Sequence, residues 1–401
     1  MSAASGKKAE LIDSSSLANL RLYRYSSVDK SPISNYILRY YWNFIAELMP
    51  LWLAPNLITL LGFFCIYINI VTIIVYIPDL VGPAPSWVYF SFALGLWTYS
   101  TMDNVDGKQA RRTGSSSPLG ELFDHGIDSL NCTLGGLVEC ACMGLGSSGP
   151  GAFCTLISCL AMFTSTWETY HTHTLYLGYF NGPTEGLIIA CILMLISGIC
   201  GPEIWRQTLG DFVSLPEGFE KTGYTLLVDI FIYVVSAAFL IFHLPFCIWN
   251  VYKARRTKNL PFLPVLLECV PFTLSGLSLG LWLQSDFSVI LLENHLILLA
   301  LTISFVFGRV TTKIILAHLT LSPFPYWTIL YVPLFIAPFL FWIFPIMGLT
   351  IFTGKFEVYY LQAYFVFSVV YFFRWATIVI NALCDFLGIN CFTIKKPVKS
   401  H

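Results

Sequence analysis

Long apolar runs alternate with short polar stretches along most of this chain. A helix needs about 20 predominantly apolar residues to cross a bilayer, and ten runs reach or approach that length. They lie near residues 57–78, 87–105, 119–145, 150–171, 185–200, 223–251, 260–283, 292–318, 326–347 and 357–386. This pattern predicts an all-α, polytopic membrane protein with about ten transmembrane helices.

A different pattern precedes the first run. The segment Ser34–Met49 mixes aromatic side chains with Arg39 and Glu47. Ionised side chains are costly in the hydrocarbon core, whereas an amphipathic helix can lie in the membrane interface. We therefore expect an N-terminal interfacial amphipathic helix here.

Composition agrees with this placement in lipid. Apolar residues make up 56% of the 401 residues and charged residues 11%, and the formal net charge is -1. Such a chain cannot cover itself with a charged aqueous surface, and it has no overall field that would recruit nucleic acid. The twelve cysteines have no framework of even spacing and are interpreted as reduced, buried residues.

Basic residues near the ends of the runs predict the orientation of the chain. Three clusters follow the second, sixth and tenth runs: Lys108, Arg111 and Arg112; Lys253, Arg255, Arg256 and Lys258; Lys395, Lys396 and Lys399. An even number of spans puts all three on one side, together with the N-terminal Lys7, Lys8, Arg21 and Arg24. We expect that side, with both termini, to face the cytosol.

The second and third runs meet at the most polar part of the chain. Four carboxylates stand there: Asp103, Asp106, Asp124 and Asp128. At about 100° per residue, the first two share a helical face with Gly107, Ala110 and Arg111, and the last two share a face of the next helix with Gly120. The two acidic faces should meet across a short turn.

Carboxylates at a membrane boundary need a cation or a partner. Hard oxygen ligands suit Mg²⁺ or Mn²⁺, and four of them with one arginine can hold one or two ions and a pyrophosphate. Small residues at Gly107, Ala110 and Gly120 would let a ligand approach closely. The alternative is a structural acid–base cluster, which would not need four acids and a glycine-lined face.

These residues fit the pattern D-x2-D-G-x2-A-R-x8-G-x3-D-x3-D at every fixed position. The chain thereby resembles the CDP-alcohol phosphotransferase family. Its length and the segments G-K-Q-A-R-R-T and S-P-L-G-E-L-F-D-H-G-I-D-S are similar to the eukaryotic diacylglycerol choline/ethanolamine phosphotransferases, and S-T-W-E-T-Y-H-T-H-T-L-Y-L is similar to their fungal branch.

The resemblance implies an enzyme that joins CDP-choline or CDP-ethanolamine to diacylglycerol and releases CMP. It implies that the metal-binding residues are Asp103, Asp106, Asp124 and Asp128, and that the CDP site is lined by Asn56, Asp106, Gly107, Ala110, Arg111 and Gly120. Asn56 belongs to the segment A-P-N-L-I-T, whose other interpretation is a plain helix start with Thr59 in its first turn.

The resemblance also implies a domain organisation and a setting. Residues 1–50 would form a cytosolic segment, 51–205 the catalytic core, 206–390 a scaffold for lipid binding and dimerisation, and 391–401 a basic tail. A homodimer in the endoplasmic reticulum or Golgi membrane is expected, with the site facing the cytosol.

The proton of the attacking lipid alcohol needs a base. Asp128 is one candidate, but a carboxylate bound to a cation is a poor base. His125 points to the edge of the acidic face nearest Asp128, and an unperturbed imidazole has a pKa near neutral pH, so we favour His125. Glu185 is a third catalytic candidate, which could orient His125 or hold the substrate amine, or could be a plain surface group.

Two rival functions remain at this point. A polytopic transporter would suit ten spans with intramembrane charge, but the acids gather at one predicted membrane edge and no inverted repeat is visible. A phosphotransferase for another alcohol, such as inositol, would share the same motif. The choice between choline and ethanolamine stays open.

Overall fold

The computed structural model describes residues 14–212 and 225–395 of the chain. The α-helices are α1 (Ser14–Ala18), α2 (Arg39–Leu48), α3 (Pro55–Tyr76), α4 (Ser86–Thr113), α5 (Pro118–Cys142), α6 (Gly149–Thr172), α7 (Leu187–Cys200), α8 (Leu227–Ala237), α9 (Leu244–Thr257), α10 (Val270–Leu283), α11 (Leu296–Leu319), α12 (Tyr331–Pro338), α13 (Phe344–Ile346) and α14 (Lys355–Leu387). The strands are β1 (Ser27–Asp29) and β2 (Leu175–Leu177). The expected basic positions Lys7, Lys8, Lys396 and Lys399 lie outside the described residues.

Short π and 3-10 segments join or extend several of these helices. They are Asn19–Leu22, Ser34–Leu38, Gly182–Gly186, Pro202–Arg206, Leu209–Asp211, Ala238–His243, Leu263–Cys269, Phe339–Ile343 and Thr350–Phe352. As a result α8 and α9 form one continuous helix, and so do α12 and α13. Each of the ten predicted runs contains a helix, so the all-α polytopic prediction is confirmed.

By length and composition alone, seven of the described helical segments could cross a membrane. The runs that miss this criterion are α4, α5 and the segment Tyr331–Ile346. Charged motif residues interrupt the apolar sequence of α4 and α5, and Tyr331–Ile346 is shorter than the other spans. Two of the three runs that miss the criterion are therefore the helices that carry the predicted chemistry.

The predicted interfacial helix is present as α2 and the turn before it. Its exposed side chains Tyr40, Phe44 and Leu48 repeat every four residues, whereas Trp42 and Ala46 are buried against the bundle. Spacing of four residues puts the exposed apolar side chains on one helical face. That face is available to lipid.

Helix α11 lies at the centre of the bundle. In its most apolar window 78% of the residues are buried, against 11% in the continuous α8–α9 helix. It packs on α5, α6 and α14, and Gly308 permits the approach to α5, since a Cβ there would lie 2.6 Å from Leu130 Cδ2. The second acidic helix is therefore held by the most buried helix of the fold.

Local sequence fixes the turn between α4 and α5. Gly114 ends α4 in the left-handed conformation at φ 64°, which glycine adopts without strain. Ser117 begins α5 by accepting a hydrogen bond from the Gly120 amide, and Pro118 occupies the first turn, where no backbone donor is needed. This short connection makes the two helices antiparallel neighbours.

The N-terminal strap, defined as residues 19–31, crosses the end of the bundle where this turn lies. Strand β1 pairs in parallel with β2, a pairing that the hydrophobic pattern did not predict. Asn19 Nδ2 donates to the Thr320 carbonyl oxygen at 2.8 Å, and Tyr23 donates to Glu121 near the start of α5. The strap thus ties the ends of α5, α6 and α11 together.

Candidate active site

The structure brings the four motif aspartates together where α4 and α5 meet. The Asp103 carboxyl group interacts electrostatically with those of Asp106 and Asp128. Ligand atoms of Asp124, His125 and Asp128 all lie within 4.8 Å of one another, as a metal-binding group requires. Helical spacing on two antiparallel neighbours therefore produces one acidic cluster.

Two carboxylate oxygens of this cluster are buried without a hydrogen-bond donor. They are Asp103 Oδ1 and Asp124 Oδ1, which have no partner in the described part of the chain. Burying a carboxylate oxygen without a hydrogen-bond donor or a cation costs on the order of several kcal/mol of folding free energy. Hard oxygen donors of this kind fit Mg²⁺ or Mn²⁺, so these residues match the cation that the sequence implied.

The other two aspartates receive hydroxyl donors from outside the motif. Tyr99 Oη donates to Asp128 Oδ1 at 2.5 Å, and Thr59 Oγ1 donates to Asp106 Oδ2. The sequence pattern predicted neither contact. A signal existed for one of them, since Tyr99 stands four residues before Asp103 and shares its helical face.

His125 lies beside Asp128 and Asp124. Its Nδ1 atom is 3.5 Å from Asp128 Oδ2 and 3.9 Å from Asp124 Oδ2. Its Nε2 atom makes no hydrogen bond to any residue that the structure describes. An imidazole whose Nδ1 faces a carboxylate can use Nε2 to accept a proton, although the same ring could also ligate a cation.

The glycines of the motif do not serve packing. A Cβ on Gly107 would meet only Arg111 Nη1, at 3.6 Å, and a Cβ on Gly120 would find Ser117 Oγ at 3.7 Å and Asn56 Oδ1 at 3.9 Å. Both positions therefore have room for a Cβ at ordinary van der Waals distances. Asn56, at the start of α3, therefore lies beside Gly120.

The two adjacent arginines of α4 have separate surroundings. Arg112 Nη1 donates to the carbonyl oxygens of Ala46 and Met49, at 3.0 and 2.6 Å, and so caps the end of α2. Arg111 is exposed and makes no hydrogen bond or ion pair within the described ranges. Ala110 is partly buried beside it. Arg111 is therefore free to meet an anionic ligand.

Glu185 belongs to a different cluster. Ser31 Oγ donates to the Oε1 atom of Glu185, and the backbone amide of Asn181 donates to its Oε2 atom at 2.9 Å. The side chain is buried, with 6% exposed. The interpretation as a surface group is wrong, because burial and these two contacts make Glu185 an anchor of the N-terminal strap. The structure does not pair it with His125.

Comparisons with known proteins agree with the site. The model of the family described as CDP-alcohol phosphatidyltransferase matches residues 52–215, which include all four aspartates. Cholinephosphotransferase 1 of Saccharomyces cerevisiae (strain ATCC 204508 / S288c) is 40% identical over 321 residues, which cover 78% of this chain and 80% of the yeast protein.

Two further relatives extend the similarity. Choline/ethanolaminephosphotransferase 1 of Arabidopsis thaliana is 35% identical over 398 residues, 95% of this chain and 97% of the plant protein. Choline/ethanolaminephosphotransferase 1 of the same yeast is 35% identical over 336 residues, 78% of this chain and 80% of that protein.

The acidic cluster on two helix ends and these similarities define the class: the chain belongs to the CDP-alcohol phosphatidyltransferase family. It is a CDP-alcohol phosphotransferase of the polytopic membrane type. Its family depends on divalent metal, and the group of Asp124, His125 and Asp128 is a possible metal site.

Proposed function

We propose that this enzyme transfers phosphocholine, phosphoethanolamine or both from the CDP-alcohol to sn-1,2-diacylglycerol, giving the phospholipid and CMP. The observation that carries the proposal is the cluster of Asp103, Asp106, Asp124 and Asp128 beside His125 and Arg111. The names of the yeast and plant relatives support the choice of alcohols.

In this proposal the four aspartates bind the metal. They would hold Mg²⁺ or Mn²⁺, whose charge offsets the negative charge that develops on the departing CMP. Support comes from the buried Oδ1 atoms of Asp103 and Asp124, which no described group satisfies. A cation would supply the missing partner for both.

His125 acts as the base. Its Nε2 atom accepts the proton of the diacylglycerol hydroxyl as that oxygen bonds to the β-phosphorus, and the bond from this phosphorus to the CMP oxygen breaks. The distance of 3.5 Å from Nδ1 to Asp128 Oδ2 supports this assignment, because a carboxylate at Nδ1 fixes the ring and stabilises the imidazolium form. Asp128, engaged by Tyr99 as well, orients the base.

The CDP moiety lies against the glycine-bordered space. Arg111 neutralises a phosphate oxygen, while Gly107, Ala110 and Gly120 admit the nucleotide close to the backbone. The exposure of Arg111 and the lack of any close contact at a Cβ built on either glycine support this role. Asn56, 8% exposed and 3.9 Å from a Cβ built on Gly120, completes the border.

We assign catalysis to residues 51–205 and lipid binding with dimer formation to 206–390, and we place the site on the cytosolic face of the endoplasmic reticulum or Golgi membrane. The gathering of basic residues at the ends of α4 and α9 supports the orientation. A membrane-impermeant thiol reagent on sealed vesicles should label Ser116→Cys from the cytosol and Gln207→Cys, at the other end of the bundle, only after permeabilisation. Light scattering in detergent tests the expected homodimer.

A donor competition assay tests the activity. Purified protein receives diacylglycerol with CDP-choline, CDP-ethanolamine or CDP-inositol, and CMP release is measured. We expect release with one or both of the first two donors. Release only with the inositol donor would favour the phosphotransferase for another alcohol. If no donor gives CMP release and vesicles that contain the protein take up one of these donors, the transporter would be favoured.

A further inference from the structure

The carboxylates of the acidic cluster are not equivalent, because two of them receive a hydroxyl donor from a residue outside the motif. We propose that Tyr99 and Thr59 are positioning residues that fix the carboxylates of Asp128 and Asp106 for cation binding. This inference deepens the proposed function and rests on its assignment of metal to the aspartates.

Tyr99 reaches Asp128 from the neighbouring helix. The ring is 4% exposed, and its hydroxyl donates to Oδ1 at 2.5 Å across the interface of α4 and α5. The second oxygen of the same carboxylate, Oδ2, faces His125 Nδ1 at 3.5 Å. The hydroxyl therefore sets the rotation of the Asp128 carboxylate, and through it the side that faces His125.

Thr59 does the same for Asp106 from α3. The side chain is 1% exposed, and its hydroxyl donates to Asp106 Oδ2. Asp106 is itself buried, with 7% exposed. The Pro55 carbonyl oxygen, 3.3 Å from the hydroxyl, is the weaker of its two acceptors. A third helix thereby contributes to a cluster whose motif spans only two.

The four acids therefore form two pairs that differ in whether a neighbouring hydroxyl donates to the carboxylate. Asp106 and Asp128 each have one oxygen held by a neutral donor, whereas Asp103 and Asp124 each keep a buried oxygen without a donor among the described residues. Terminal carboxylate torsions are soft, so the held pair needs its donors to present a fixed oxygen. Partners that orient metal ligands typically contribute 10- to 100-fold to metal affinity or activity.

The Tyr99 test measures Mn²⁺ binding to the purified, full-length protein by the loss of the free-ion electron paramagnetic resonance signal. Tyr99→Phe keeps the ring and removes the donor, so we expect its Mn²⁺ dissociation constant to rise about 10-fold or more. Tyr89→Phe is the matched control. Tyr89 is a buried tyrosine of the same helix whose hydroxyl accepts from the Ala84 amide at 3.0 Å, far from the acids.

The Thr59 test compares two substitutions at one position. Thr59→Val removes the hydroxyl at nearly constant volume, and Thr59→Ser retains it. We expect the valine variant to weaken Mn²⁺ binding about 10-fold and the serine variant to bind as the wild type does. Thr155→Val is the control, since Thr155 is a fully buried threonine of α6 whose hydroxyl donates to the backbone oxygen of Gly151 at 2.8 Å.

The outcomes distinguish a failure of the positioning role of Tyr99 and Thr59 from a failure of the proposed metal binding by the aspartates. Weaker Mn²⁺ binding in Tyr99→Phe and Thr59→Val, with both controls unchanged, supports the inference. Equal affinity in wild type and Tyr99→Phe, or equal loss in Thr59→Ser and Thr59→Val, overturns it. If Tyr99→Phe does not fold, the Thr59 pair decides. A wild-type protein that binds no Mn²⁺ overturns the metal assignment itself.

Discussion

Nδ1 of His125 lies 3.5 Å from Oδ2 of Asp128, three residues further along α5. This spacing allows one carboxylate to hold the imidazole ring, as in the base–carboxylate pairs of other acid–base enzymes. The pair gives the two candidates for the base different tasks. In the proposed mechanism Asp128 orients the imidazole ring and His125 removes the proton.

Replacing His125 should therefore slow the chemical step. We expect His125→Ala to lower kcat about 10²- to 10⁴-fold, the usual contribution of a general base, with little change in CDP-alcohol binding. His173→Ala is the control, because His173 lies outside the cluster and stacks on His318. Steady-state CMP release at saturating substrate concentrations measures kcat. A near-normal kcat for His125→Ala would transfer the role of base to Asp128.

Removal of divalent metal should abolish activity. We expect excess EDTA to stop CMP release and added Mg²⁺ or Mn²⁺ to restore it, because the buried oxygens of Asp103 and Asp124 need a cation. Asp124→Asn should remain inactive after metal is added. Asp79→Asn, which alters a loop carboxylate bonded to backbone amides of Val81 and Gly82, should respond like the wild type. Undiminished turnover in EDTA would disprove the metal assignment.

A side chain at Gly107 should obstruct the donor nucleotide. A Cβ on Gly107 would make only an ordinary van der Waals contact, with Arg111 Nη1, so we expect the fold to persist in Gly107→Val. We expect KM for the CDP-alcohol to rise about 10-fold or more, since a steric clash costs about 1–3 kcal/mol. Gly149→Val, at a glycine with nothing within 4 Å, is the matched control at the start of α6. Steady-state kinetics with varied donor concentration give KM. An unchanged KM in Gly107→Val would separate this face from the nucleotide.

Contact between Ser31 and Glu185 should stabilise the N-terminal strap. Ser31→Ala and Glu185→Ala each remove one partner of a buried hydrogen bond, so we expect each to lower thermal stability, with a coupling of about 1–3 kcal/mol in the double-mutant cycle. Thermal unfolding of the purified protein in detergent measures this coupling. Additive effects would mean that the two residues act separately, and lost turnover at full stability would return Glu185 to the catalytic candidates.

Much of the fold is determined by local sequence. The apolar runs predict the positions of the helices, because satisfying backbone hydrogen bonds inside lipid requires helices of a fixed length. The same reasoning places the interfacial helix, where polar and aromatic residues mix. Hydropathy alone understates the likeness of α4 and α5 to membrane spans, since both helices carry aspartates of the acidic cluster.

The acidic cluster is also largely determined by local sequence. Aspartates at spacings of three and four residues share a helical face, and Gly114 and Ser117 encode the short turn that makes the two faces neighbours. Motif residues on consecutive helices can therefore be assigned from the chain alone, as can the hard oxygen chemistry that suits a divalent cation.

Contacts between distant segments were decided only by tertiary structure. Tyr99, Thr59 and Ser31 meet Asp128, Asp106 and Glu185 across 29, 47 and 154 residues of sequence. Helical periodicity specifies which residues share a face, but it does not specify which face of another helix packs against it or at what height. The relative placement of the helix faces depends on close packing around α11 and on the strap across the bundle end. For this reason the sequence by itself identified the acids, and only the tertiary structure identified the groups that hold them.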